Sequence, residues 1–154
     1  MEQNIKATTR KTTFGRTTTV RIGINADPGI TWKLLTNAAD FSRWNSTVLS
    51  IKGSIAAGEM IKLISALAPK RTFKLKIREF IPGKLLAWGD GQGLRVYTLA
   101  ANSSGIHTFT MKEKIGGFLF PLYAKHIPSF DQSFEQFAAD LKREAELIQN
   151  YKKQ

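Results

Sequence analysis

The chain has 154 residues, enough for one domain with a substantial core. Its 42% hydrophobic and 23% charged content is that of a globular chain rather than a disordered one, and the absence of cysteine excludes disulfides, thiol nucleophiles and Cys-ligated metals. Lys and Arg number 23 against 12 Asp and Glu, a net charge of +11 that draws the surface toward polyanions and leaves the fold open.

No apolar stretch approaches the roughly 20 residues a bilayer-spanning helix needs. The beginning, MEQNIKATTRKTTFGR, also lacks the apolar run of a signal peptide, so a cytoplasmic location is expected. Residues 1–13 are polar and basic without periodicity and read as a flexible arm, with a single domain over 14–154. From Thr17 onward Val20, Ile22 and Ile24 alternate with Arg21, Gly23 and Asn25, the period-2 mark of a half-buried strand. Asp27-Pro28 then reads as an N-cap with proline at the first helical position. It opens a short helix with Trp32, Leu34 and Leu35, and a second, shorter helix is expected near Phe41 to Trp44.

Strand-like runs follow near 47–53, 59–67, 71–80, 84–90, 94–101 and 106–115. Gly58, Pro69, Pro82-Gly83, the Gly89–Gly93 cluster and Asn102-Ser103-Ser104-Gly105 divide them. Such short connections make hairpins, since parallel crossovers need a dozen or more residues. Near the end, Ile127, Phe130, Phe134, Phe137, Ala138, Leu141, Ala145 and Ile148 step by three and four, predicting an amphipathic helix over 129–150. Ser129 with Gln132 resembles a capping box, and Pro121 allows an earlier helical turn that Pro128 would kink or break.

The strand faces separate cleanly. Phe73, Leu75 and Ile77 share one face and Thr72, Lys74, Lys76 and Arg78 the other. In the last run His107, Phe109, Met111, Glu113 and Ile115 oppose Thr108, Thr110, Lys112 and Lys114. The apolar sets are expected to face the helix and the lysines to form a solvated outer face. A bent sheet under one helix either fills its core or leaves an apolar hollow, and these residues suit both.

The stretch Ala26-Asp27-Pro28-Gly29-Ile30-Thr31-Trp32, followed by Leu35-Thr36-Asn37 and Phe41-Ser42-Arg43-Trp44-Asn45, resembles the START-like superfamily, also called SRPBCC or polyketide cyclase/dehydrase-like. Members look like A-x-P-x-x-V-W, then L-T-D, then Y-x-x-W-N-P. Thr31, Asn37 and Ser46 depart from that pattern, standing where Val, Asp and Pro are usual. Further similarity runs through Pro82-Gly83, Leu85, Trp88, Gly105, Thr108, Glu113 and Gly117 to the last helix, covering the chain from about Val20 to Asn150. The resemblance implies an α+β helix-grip fold: a seven-stranded curved antiparallel sheet around a long C-terminal helix, two short helices after the first strand, and an apolar ligand cavity.

Members of that superfamily carry lipids, bind quinones, sense hormones, cyclise polyketides or assist chaperones, so the fold does not select a reaction. The residues expected to line the cavity are Phe73, Leu75, Trp88, Tyr97, His107, Phe109, Met111, Glu113, Phe130, Phe134, Phe137 and Leu141. Glu113 is the acid whose parity places it among apolar side chains, either as a polar cavity group or paired with a Lys or Arg at the sheet end. His107 and His126 lie on different elements, which does not supply the three protein ligands of a catalytic metal site. The Gly89–Gly93 cluster lacks the strand–helix context and the Lys-Ser/Thr pair of a phosphate loop and reads as a hairpin turn. No nucleophile–base motif is visible, and neither a cofactor nor a metal is expected.

The first expectation is a non-enzymatic binder or carrier of a small hydrophobic or amphipathic molecule such as a lipid, sterol, quinone or polyketide. The alternatives are a cyclase- or hydratase-type enzyme using cavity polar groups, and a protein- or RNA-contacting module acting through its basic surface. An anionic membrane surface is a candidate partner, and nucleic acid is not expected.

Overall fold

The computed structural model describes residues 4–102 and 104–154. Strand β1 (Ala7–Thr12) pairs antiparallel with β2 (Gly15–Ile24), running in register from Ala7 opposite Val20 to Thr12 opposite Gly15. This corrects the expectation of a flexible arm over 1–13, of which residues 1–3 lie outside the described residues. It also makes the sheet eight-stranded rather than seven-stranded. A polar edge strand carries little hydrophobic signal because one face and one backbone edge meet water, and its charges protect that edge from pairing with other chains. Its inward Ala7, with Ile5 just before it, packs against the core.

The two short helices therefore follow the second strand. Helix α1 (Pro28–Thr36) starts as the sequence predicts, with Pro28 in its first turn and the Asp27 carboxylate accepting a hydrogen bond from the Gly29 amide at 2.7 Å. A 3-10 turn over Ala38–Asp40 leads into α2 (Phe41–Trp44). Strands β3 (Val48–Lys52), β4 (Met60–Ser65), β5 (Phe73–Ile81), β6 (Leu85–Gly89), β7 (Gly93–Ala101) and β8 (His107–Gly116) complete the sheet. Its order is β1-β2-β8-β7-β6-β5-β4-β3, antiparallel throughout. Irregular register between Val48 and Ser50, and again between Ile77 and Glu79, bends the β3–β6 wing.

After β8 the chain forms a short helix α3 (Phe120–Tyr123), a 3-10 turn over Ala124–His126, and then the long helix α4 (Asp131–Lys152). The break falls at Ile127-Pro128, where the backbone is extended. The expected capping box does not form. Phe130 occupies the N-cap position and has no side-chain acceptor, while the Ser129 hydroxyl accepts instead from the Asp131 amide at 3.3 Å.

Helix α4 buries Phe134, Phe137, Ala138, Leu141 and Ala145 against the concave face of the sheet. Each large apolar side chain so buried stabilises the fold by roughly 1.5–3 kcal/mol. Near its C-terminal end the helix is tied to β2 and α1 by polar bonds. Lys142 Nζ donates to the Gly23 carbonyl at 2.9 Å, and the Asn25 and Asp27 amides donate to Glu146 and Gln149 at 2.9 and 2.8 Å. At mid-helix the buried Asp140 carboxylate accepts from the Ser46 amide and hydroxyl at 2.8 and 2.7 Å. Proline at position 46 would have neither donor, so this departure from the family pattern builds a helix anchor.

Candidate ligand-binding cavity

The antiparallel register sorts the concave face into rows that cross the sheet. One row is Leu99–Phe109–Ile22, and the next is Leu86–Tyr97–Met111–Val20. These two rows are solid. Tyr97 stacks on Phe109 and Phe137 with ring centroids 6.2 and 5.6 Å apart, and Phe137 also meets Phe41 and Trp44 from the α2 side. Every residue of the Leu86 row is essentially inaccessible.

The following row is Trp88–Arg95–Glu113–Thr18, and after it comes Gly93–Ile115–Arg16. Here the character changes. A cavity of about 420 Å³ opens between the β3–β8 face and the segment that leads into α4. Its apolar walls include Val48, Leu63, Phe73, Leu75, Trp88 and Phe130. The segment before α4 supplies Tyr123, His126, Ile127 and Pro128, and Ser133 adds the first turn of the helix. Arg71, Asp90, Gln92, Arg95 and Glu113 give it a polar side.

Within that polar side, Arg95 Nε and Nη2 donate to the two Glu113 oxygens at 3.1 and 3.4 Å, a paired fork on adjacent strands. The Arg95 guanidinium also lies 5.0 Å from the Phe134 ring centroid. Burial opposes its charge, but Glu113 and the neighbouring Tyr97 hold its pKa above the ordinary value, so it stays a cation. The Tyr97 hydroxyl is buried without a hydrogen-bond partner among the described residues, and burial pushes its pKa up to about 12 despite the nearby Arg95. Arg71 covers Phe73 at 4.4 Å from the wing side.

Arg16 sits beside the same end. Its guanidinium lies 4.5 Å from the Phe130 ring and donates to the Ile127 carbonyl at 3.3 Å and to the Pro128 carbonyl. This holds the extended segment against the sheet and fixes where α4 begins. Burial lowers the Arg16 pKa, partly countered by Glu113 and Asp131. On the opposite rim the Gly89–Gly93 connection is the hairpin turn the sequence predicts. Asp90 accepts from the Gln92 and Gly93 amides, and a Cβ at Gly89 would run into the Gly93 carbonyl.

Of the twelve residues expected to line a cavity, Phe73, Leu75, Trp88, Glu113 and Phe130 do so. Tyr97, His107, Phe109, Met111, Phe134, Phe137 and Leu141 do not; all seven are buried in the filled core. The expectation that the hollow lies centrally, around Phe109, Met111, Phe134 and Phe137, is therefore corrected to one end of the sheet. His107 is a core residue whose Nδ1–H donates to the Ala26 carbonyl at 2.9 Å; burial lowers its pKa, and among the described residues Nε2 has no partner. Among the described residues, no three His, Asp or Glu side chains converge as metal ligands.

Arg95, Arg71 and Arg16 were not anticipated. Arg95 shares strand parity with Tyr97 and Leu99, and Arg16 shares it with Thr18 and Val20, so inward-facing arginines were detectable by alternation. Arg71 and the residues 123–128 lie outside regular strands and carry no such signal.

No family model matches the sequence, and no curated protein matches it. Solved structures do match. A conserved protein of unknown function from Enterococcus faecalis superposes with a TM-score of 0.65 at 16% identity, covering 89% of this chain and 75% of that one. A START superfamily protein from Mycobacterium smegmatis gives 0.62 at 9% identity over 86% and 98%. A hypothetical protein from Helicobacter pylori gives 0.67 at 11% over 82% and 86%. At such identities the likeness establishes the fold: this chain has the START-like architecture.

Proposed function

We propose that this START-like domain binds one small apolar or amphipathic molecule in the hollow end of its sheet–helix sandwich, holding or carrying it rather than transforming it. The observation that supports the reading is the cavity of about 420 Å³ walled by Leu63, Phe73, Leu75, Trp88 and Phe130. Pockets for small molecules span about 300–1,000 Å³ and combine apolar walls with a few polar contacts. Acid–base chemistry is less favoured because Arg95 and Glu113 satisfy each other. Such a pair orients a polar group on a ligand more readily than it relays a proton.

A ligand bound only to the native form raises stability by RT ln(1 + [L]/Kd), about 2.7 kcal/mol at 100 times Kd. A thermal-shift screen of fatty acids, sterols, quinones and flavonoid-like aromatics therefore yields at least one stabilising compound. Leu75→Trp, which fills the hollow without removing core, abolishes that shift while the free protein keeps its melting temperature. Retention of the full shift in the Leu75→Trp variant would place binding elsewhere.

A further inference from the structure

The sheet end that carries the cavity also presents an apolar tip. The β1–β2 turn and the link after β8 lie side by side there, joined by a 2.9 Å hydrogen bond from the Gly117 amide to the Phe14 carbonyl. Their rings, Phe14 and Phe118, stack on each other at 6.5 Å with an interplanar angle of 8°. Stacking does not bury them: Phe14 is 55% exposed and Phe118 87%, while neighbouring Leu119 and Leu122 are 57% and 74% exposed. Four large exposed apolar side chains thus cluster in sequence and space, on the β1–β2 turn, the link after β8 and the short helix α3, the kind of patch that marks a docking surface.

What surrounds the patch selects the partner. A depression beside it brings together Lys11, Arg16 and Lys125 with Thr9, Ser129 and a single acid, Asp131. Among the described residues neither Lys11 nor Lys125 is in an ion pair. On the outer face of the same end, Arg10 and Lys114 flank Thr17 across β1, β2 and β8. Apolar side chains at a tip beside the exposed cations Arg10, Lys11, Lys114 and Lys125 complement a surface that is anionic outside and apolar just beneath, which is the chemistry of an acidic lipid bilayer. No helix among the described residues is long and apolar enough to cross a membrane.

We infer that this end of the molecule docks on anionic membranes, with Phe14, Phe118, Leu119 and Leu122 entering the headgroup boundary and Lys11 and Lys125 meeting lipid phosphates. The same segment, 117–130, runs from the tip into the cavity wall, so docking sets the cavity beside the bilayer.

The test is co-sedimentation of the full chain with vesicles of phosphatidylcholine alone or with phosphatidylserine added. The wild type binds the acidic vesicles and is released by salt. Phe118→Ser with Leu122→Ser, and separately Lys11→Glu with Lys125→Glu, each lower binding about tenfold or more. Leu147→Ser, an exposed apolar residue on α4, leaves it unchanged. Unchanged melting temperatures show that the variants fold. Equal binding by the tip variants, no binding to acidic vesicles, or a concentration-dependent dimer that Phe118→Ser abolishes without vesicle binding would each overturn the inference.

Discussion

The two ends of the sheet–helix sandwich both draw apolar walls from the same alternating strands, yet one is solid and the other hollow. At the solid end Tyr97, Phe109 and Phe137 stack within about 6 Å of each other, and α4 lies directly over them. At the hollow end Phe73, Leu75 and Trp88 face the pre-α4 segment across open space. What differs is the cover. A continuous helix presents a side chain every turn to fill the sheet, whereas the Ile127-Pro128 break replaces that helix with an extended strap pinned by Arg16. An apolar alternation therefore specifies which face is buried, and the element above it specifies whether the space closes.

The comparison predicts unequal costs for equal truncations. Phe137→Ala at the solid end destabilises by about 3–5 kcal/mol, as a filled aromatic core requires. Phe73→Ala at the hollow end costs about 1 kcal/mol, since Phe73 is only half-buried and the space beside it is already open. Denaturant unfolding of the two variants measures both, and equal costs would remove the distinction.

Next in size is the anchor that sets α4 against the α2–β3 corner. Asp140→Ala removes the acceptor for both Ser46 donors and for Gln136 Nε2, a loss of about 2–3 kcal/mol. Ser46→Pro lowers stability by a similar route. Smaller and opposite in sign is Thr31→Val. The Thr31 hydroxyl is fully buried with no partner among the described residues, so its removal stabilises by about 1 kcal/mol.

Smallest is a pH effect confined to the solid end. His107 has its pKa lowered by burial, so the unfolded chain takes up its proton first as pH falls through about 6.5. Stability contributed by neutral His107 is complete above that pH and is lost below it. His107→Gln reduces the decline in melting temperature between about pH 6.5 and 5, measured against wild type.

Most of the architecture was legible because its elements repeat at periods of two or near 3.6. The β5 and β8 alternations, the Asp27-Pro28 start and the Phe134–Ala145 stripe all correspond to observed elements. Strand β1 carries no such signal because an edge strand need bury only alternate residues on one side, and here only Ala7 and Thr9 are even half-buried. The site was half legible. Parity identified Glu113 as inward-facing, but its partner Arg95 lies on another strand, and strand register is not written in either segment alone. The shift of the hollow from the centre to one end depends on the strap over residues 123–130, whose irregular backbone leaves no periodic trace.

The central claim is that the hollow end, and not the aromatic centre, takes the ligand. Methyl-resolved NMR during titration with a stabilising compound from the thermal-shift screen tests it most directly. The account predicts shifts at Leu63, Leu75, Ile115 and Ile127, which line the cavity, with Met111 and Leu141 unmoved in the filled core. Shifts centred on Met111 and Leu141, with the cavity methyls silent, would contradict it.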